Sequence, residues 1–388
     1  MHTTASPRAA TPGRGRSLTR ARPGVALVMA VVAMAVLGAL VVGVFFAALR
    51  EQRDGRDAIH RVQALAAAEY GLAVESSPRS WRSSWNITAR RGPLRDTAFE
   101  IDSTTVDSTR LWKLGRNSFI VVSTGSVGTG VSRARRRIAL LLGLRVPQLR
   151  ARSAAIVAYG IAVADSSRVI GRDTVPTGWW CPPAAGELPA IIAQAVSLLD
   201  VSSCTSKPCV DGSPPLGIDS LAAAADTYER FGALERDSIA DAALQLAADA
   251  VLSAPAPSLD AAGECDVART DNLGDPLRVL GTASSCADYF PVLHAPGNMR
   301  IAGGAGQGMV LVDGNLTLGS GARFSGVAVV RGVLEITEHS ELIGAILASS
   351  VVVNDGSRVS YSSCAVERAL RGAAVPVVPE GPAWSELY

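Results

Sequence analysis

The sequence predicts an α+β protein that is mostly β: a long amino-terminal helix, a small antiparallel sheet, and a short parallel β-helix with a partly helical, disulfide-containing insertion. Three observations predict it. Val25–Leu49 runs without one charged or strongly polar side chain. Thr97–Val146 alternates in strand-like fashion between glycine-rich and polar turns. Met309–Tyr361 repeats with a period of eighteen residues. The expected boundaries are a basic leader at 1–24, a transmembrane and extended helix at 25–77, and an antiparallel β region at 78–150. A split parallel β-helix at 151–371, with an insertion at 172–291, and an extended tail at 372–388 complete the chain.

The helix comes first. Met1–Gly24 holds Arg8, Arg14, Arg16, Arg20 and Arg22 with no acidic residue. At about 1.5 Å per residue the apolar run spans roughly 37 Å, enough for a hydrocarbon core of about 30 Å. Basic residues ahead of it favour a cytoplasmic amino terminus and send the rest of the chain across the membrane. A cleaved secretory signal has an apolar region of only about 7–15 residues and a small-residue cleavage site. This run is longer and is followed by Arg50 and Glu51, so it is expected to remain as a single-pass anchor. Beyond it, Ala58, Val62, Leu65, Ala66, Glu69 and Leu72 fall on helical spacings, Gly55 weakens the helix locally, and Pro78 offers an end. One helix of about 50 residues and about 75 Å results. The plain alternative is an ordinary anchor with a helical stalk.

"GVALVMAVV", the "REQRDGRD" collar and the closing "ALAAAEYGL" together resemble the PilX-type amino-terminal domain of minor pilins and related pseudopilins. The resemblance covers about Arg22–Ser76. It implies a type IV pilus assembly subunit in a bacterial inner membrane, its head periplasmic or extracellular on a pilus. It also implies that a prepilin peptidase cuts after Gly24, leaving Val25 as the new amino terminus, and that Glu69 and Gly71 belong to the helix-end motif. Two departures stand out: Pro23 replaces the basic residue usual before the glycine, and Met29 stands where major pilins carry a glutamate. That glutamate neutralises a neighbouring subunit's terminal ammonium in lipid, where an unpaired charge is costly. Its absence implies a rare, initiating or tip-located subunit. The implied partners are the lipid bilayer, other pilin-like subunits and the peptidase.

"TAFEID", "RLWKL", "SFIVVST" and "RRRIALLLGLRV" read as strands, with Asn117–Val146 a hairpin around "GSVGTG". This is similar to the small sheet that packs on the helix in pilin-type heads. Arg133, Arg135, Arg136 and Arg137 form a basic run. Without interleaved aromatics, and with an overall charge of only +2, it reads as a solvated strand end, and no nucleic acid is expected.

"MVLVDGNLTLGSGARFSG", "VAVVRGVLEITEHSELIG" and "AILASSVVVNDGSRVSY" place Leu311, Val329 and Leu347 in one column and Leu316, Leu334 and Val352 in another. Val292–Gly308 aligns as a preceding coil, and Ala154–Gly171 is a distant copy. Short periods with glycine at the corners mark a parallel β-helix, in which a coil buries its apolar face only by stacking. The coils resemble those of bactofilins and similar exported solenoids. The stack is expected to begin at Ala154, break, and resume near Val292. Alanine-rich stretches at Pro189–Asp200 and Asp219–Leu252 are expected to be helical. All six cysteines follow the anchor, compatible with three disulfides. Cys204 and Cys209 are close enough to close a small loop, and the other four are left unassigned. No CxxC pair occurs and the histidines are scattered, so no metal or cofactor is expected.

An enzyme is weighed and set aside. Paired carboxylates suit glycoside chemistry, and Asp313, Glu335, Glu338 and Glu341, with His339, are candidates. Asp313 and Arg331 share a column and are read as an outward ion pair, and Glu338, His339 and Glu341 as a solvated corner. "GGAGQG" lacks the Lys-Ser/Thr of a phosphate loop. Trp179 and Trp180 are read as packing beside the insertion, and "NIT" (86–88) and "NLT" (315–317) are sequons. The expectation is a non-enzymatic subunit with no catalytic residue. The alternatives are an anchored β-helix adhesin or envelope scaffold, with a surface polysaccharide or protein as ligand, and a carbohydrate-active β-helix enzyme.

Overall fold

The computed structural model describes residues 23–388 except 78–79, 82–84, 87–90, 103–104, 130–132, 165, 182–185, 205–207, 225, 227, 282–283, 382 and 388. The basic leader up to Arg22, part of the "GSVGTG" loop and Ile87–Thr88 of the first sequon thus lie outside the described residues. The chain divides into two units, residues 1–60 and 61–388. Helix α1, Pro23–Ser76, contributes to both.

In the first unit, the α1 side chains from Ala26 to Ala48 are exposed, including Leu27, Val31, Leu37, Val41 and Phe45. No part of this apolar stretch is buried within the protein, so its surface needs another solvent.

In the second unit, α1 turns amphipathic. Ala64, Ala67, Ala68 and Leu72 are buried against an antiparallel sheet. The sheet runs β1 (Gly92–Glu100), β2 (Thr105–Lys113), β3 (Ser118–Val127) and β4 (Ala134–Arg145), in that order. Leu111, Phe119, Val121, Ile138 and Leu142 face α1 and enclose Trp81 and Trp85. The tail, expected to be extended, joins this sheet. Val375–Val377 and Trp384–Leu387 both pair antiparallel with β4, Trp384 opposite Leu140, so the far end of the chain supplies the sheet's last edge.

Asn86 joins these parts. Its Oδ1 accepts from Trp81 Nε1 at 2.7 Å, and its Nδ2 donates to the carbonyls of Gly372 and Ala374 at 2.9 and 2.8 Å. A buried amide with both donors used is a structural strut, so Asn86 is closed to glycosylation in the folded protein. Beside it, Lys113 Nζ donates to the carbonyls of Trp85 and Asn86.

The β-helix has a rung order that differs from the chain order. One face runs Leu244–Gln245, Val292–Ala295, Ala305–Val312, Arg323–Ile336, Glu341–Val353, Ala155–Val163 (β5), Ile191–Ala193 and Leu216–Ile218, all parallel neighbours. The coil beginning at Ala154 therefore follows the last coil of the main repeat instead of opening the stack: Leu347 pairs with Ile156. Residues 172–291, expected as an insertion, contribute rungs of their own. Ile191–Ala193 is a strand, and among the described residues of the expected helix at Asp219–Leu252 only Arg236–Asp241, α2, is α-helical. Alanine's helical preference is worth less than about 1 kcal/mol per residue, and the buried ladder overrides it.

The register follows the repeat. Leu311, Val329 and Leu347 align, whereas Leu334 pairs with Val351 instead of Val352 because the ladder shifts between Val330 and Val333. Each turn of the main repeat passes a glycine corner. Gly308, Gly326 and Gly344 have φ of +121°, +152° and +148°. A Cβ on Gly326 would lie 1.9 Å from the Gly308 oxygen, and one on Gly344 1.8 Å from the Gly326 oxygen. Only glycine fits at these positions, and the column ends at Tyr361, which pairs with Gly344.

A third helix, not expected from the sequence, follows the coils. α3, Ser363–Gly372, is capped by the Ser362 hydroxyl, which accepts from Ala365 N at 3.2 Å, and buries Ala365, Val366, Ala369 and Leu370. Three disulfides form: Cys181–Cys364, Cys204–Cys209 and Cys265–Cys286.

Candidate assembly helix and its seat

Two features of this chain bear on function: helix α1, and the charged strap on the β-helix. Ala26–Ser76 is long and apolar enough, by length and composition, to cross a membrane. That is compatible with a single-pass anchor. Gly24 and Val25 lie in the first helical turn of α1. Met29 is 68% exposed among other apolar side chains and offers no charge to a neighbour.

At the other end of α1, two glycines set how closely helix and sheet approach. On the sheet side, a Cβ on Gly125 would lie 2.0 Å from the Ala64 carbonyl oxygen and 2.6 Å from Ala68 N. On the helix side, a Cβ on Gly71 would lie 1.8 Å from Asp107 Oδ2. Gly71 is therefore not a generic helix-end residue; it makes room for a buried carboxyl. Asp107 is fully buried, its Oδ1 accepts from Ser123 Oγ at 2.7 Å, and its Oδ2 has no hydrogen-bond partner. Burial pushes the Asp107 carboxyl up, against the lowering effect of the Ser123 and Ser108 hydrogen bonds. Glu69, by contrast, faces solvent. The sequence motif placed both residues on the helix, but only the sheet shows which one packs.

Arg331 Nη1 meets Asp313 Oδ1 at 3.0 Å, the outward pair expected from their shared column. That pair anchors a strap. After Ile218 the chain leaves one end of the rung order and returns at Leu244 on the other, a reach of seven rung steps, about 34 Å at about 4.8 Å each. Along the way Glu229 takes Arg331 at 2.7 Å and Asp226 takes Arg150 at 3.2 Å. Arg236, buried to 1% exposure, reaches Asp313 at 2.6 Å as an ion pair off the axis of a well-aligned hydrogen bond. Burial raises the Asp313 carboxyl, but Arg236, the His294 hydrogen bond and Arg331 outweigh it and hold it below its ordinary value. Asp313 thus ties the strap to the β-helix.

Glu338 is also engaged: its Oε2 accepts from the Ser320 amide and hydroxyl one coil away, which hold it below the usual carboxylate range. Glu338 and His339 both have positive φ, at +55° and +60°, as a tight corner requires. Glu341 and Glu335 stand in the ladder opposite Arg323 and Thr317. Among the described residues, no group of three or more His, Cys, Asp or Glu side chains is arranged to hold a metal ion. The guanidiniums of Arg278 and Arg368 lie over the Trp179 ring at 5.3 and 5.0 Å from its centre, and Trp180 is exposed.

No protein-family model and no curated protein matches the chain. Among solved structures, it is similar to the crystal structure of competence-associated pilin ComZ from Thermus thermophilus, at 12% identity over 84% of this chain and 97% of that one. The TM-score is 0.24, and a superposition that loose carries no argument about shared fold or function.

Proposed function

We propose that the chain is a membrane-anchored, non-enzymatic, pilin-like assembly subunit of the minor pilin or pseudopilin kind. One observation carries the reading. A single helix presents a wholly exposed apolar surface at its front, while its rear is seated closely on an antiparallel sheet, Gly125 against the helix backbone and Gly71 against the Asp107 carboxyl. A plain anchor needs only the first half of that arrangement. In this reading Val25–Leu49 sits in a bacterial inner membrane with the amino terminus cytoplasmic, and it packs with the helices of other pilin-like subunits. A prepilin peptidase removes the leader after Gly24. With Met29 in place of an acid, no carboxylate compensates a neighbour's terminal ammonium in lipid, so the subunit starts or tips an assembly instead of repeating along it. The β-helix is a rigid displayed body.

Mass spectrometry of the protein purified from membranes of the organism that makes it tests this. The expected amino terminus is Val25. Protein that keeps Met1 throughout, in the presence of an active prepilin peptidase, overturns the reading and leaves an anchored scaffold. Replacing Val25–Leu49 by an unrelated membrane helix separates the two further, since a scaffold keeps its function and an assembly subunit loses it.

A further inference from the structure

The sheet face turned away from α1 carries a feature that the assembly reading does not use. On β3, Gly125 and Ser123 face the helix, so Thr124 and Ser126 point the other way. Cross-strand partners share a face. Ser126 stands opposite Val106 on β2 and Arg135 on β4, and Thr124 opposite Ser108 and Arg137. Arg133 Nη2 donates to Ser126 Oγ at 2.8 Å, and a cavity of about 400 Å³ opens on this face. Its lining is Val106, Ser108, Thr124, Ser126, Arg133 and Arg135.

Among the described residues, no carboxylate pairs with the arginines of this groove. Of the four-arginine run, Arg136 points to the opposite face and is neutralised by Glu386 at 2.8 Å. Among the described residues, no carboxylate lies within ion-pair distance of Arg133, Arg135 or Arg137. Glu100 shares the face but stands opposite Val106, three strands from Arg135, about 14 Å away at about 4.8 Å per strand. That exceeds the screening length of about 10 Å in dilute salt. The Thr124 and Ser126 hydroxyls are buried beneath the guanidiniums, so the floor is preformed.

We propose that this groove binds a phosphate group, carried on a small organic molecule such as a polyol or sugar phosphate. Guanidinium groups supply planar paired donors matched to phosphate oxygens, and the Ser126 hydroxyl, which donates to the Val106 carbonyl at 3.3 Å and accepts from Arg133, holds that guanidinium over the groove. The cavity is larger than the ion alone, leaving space for the attached group. The residues that a nucleic-acid interface would add, aromatic platforms for stacked bases, are not among those lining it.

Isothermal titration of the full chain in detergent tests the proposal, with inorganic phosphate, glycerol 1-phosphate, and glycerol with matched sodium chloride as separate titrants. The expected result is saturable binding of glycerol 1-phosphate, weakened at least tenfold in the Arg133→Gln/Arg135→Gln double variant. Arg110→Gln, which removes an arginine already paired with Asp96 on the same sheet, leaves it unchanged. Tighter binding of glycerol 1-phosphate than of phosphate identifies an organic phosphate as the ligand, whereas equal binding identifies the ion itself. Circular dichroism of the double variant matching wild type shows that the fold persists. No saturable heat from either phosphate, or equal affinity in the double variant, overturns the proposal.

Discussion

Replacing Gly326 by alanine is the most direct test of how the β-helix is built. Gly326 lies at φ +152°, with the position of a Cβ 1.9 Å from the Gly308 oxygen and 2.9 Å from its carbonyl carbon. Forcing a side-chain-bearing residue into this nearly glycine-only region costs about 1–3 kcal/mol. The contact is more than 1 Å too short and both partners are backbone, so a rung must move, adding about 1–3 kcal/mol of overpacking. Loss of glycine's freedom in the unfolded chain returns about 0.4–1 kcal/mol. The net expectation is a loss of about 2–5 kcal/mol. Gly321 is the internal control: its φ is +71° and nothing lies within 4 Å of its Cβ position, so Gly321→Ala costs about 1 kcal/mol, from backbone strain alone. Chemical unfolding of the full chain in detergent, followed by far-ultraviolet circular dichroism, measures both. If Gly326→Ala falls within about 0.5 kcal/mol of Gly321→Ala, stacked glycine corners do not determine the rung spacing and the steric reasoning fails.

Further predictions concern the helix seat, the strap and the covalent frame. Asp107, raised by burial from an ordinary 3.8, takes up protons more readily folded than unfolded. It therefore stabilises the head fully below that ordinary value and loses the contribution as pH rises through the folded one. Asp107→Asn should flatten this part of the stability–pH profile, and parallel profiles for variant and wild type would count against a buried neutral carboxyl. Asp313→Ala should cost about 2–4 kcal/mol, because it strands the Arg236 guanidinium without its close partner. The Asp313→Leu/Arg236→Met pair should recover most of that loss, and a double variant no better than the single one would contradict the assignment. Removing the Cys181–Cys364 bridge, which spans 183 residues, should cost up to about 5 kcal/mol by loop-closure entropy. Removing Cys204–Cys209, which spans 5 residues, should cost clearly less, as comparative thermal melts of the paired serine variants would reveal.

Individual residues show how far the sequence could be read. The apolar run ending at Leu49, the strands of the antiparallel sheet and the columns through Leu311 and Leu316 were legible because each rests on a periodicity that neighbours in the chain express together. The Asp313–Arg331 pair was legible for the same reason, since the period puts them one rung apart. The seat of α1 was not: that Gly71 faces Asp107 and Gly125 faces Ala64 depends on strands tens of residues away. Arg236 gave no signal at all, standing in an alanine-rich stretch that reads as helix until Asp313 and the rungs around it exist. α3 did leave a trace, a Ser362 cap and apolar residues at helical spacing, hidden because it follows a run of coils.

The sequence by itself determined the kinds of element and their local register: an apolar helix, a hairpin sheet, and coils of seventeen or eighteen residues cornered by glycine. Only the tertiary structure decided the order of the rungs. Successive coils are nearly interchangeable in shape and hydrogen bonding, so no local preference says whether β5 caps the first coil or the last. That choice is made by what must also be satisfied: a strap long enough to span the stack, a buried arginine that needs Asp313, and a tail that must return to the edge of β4.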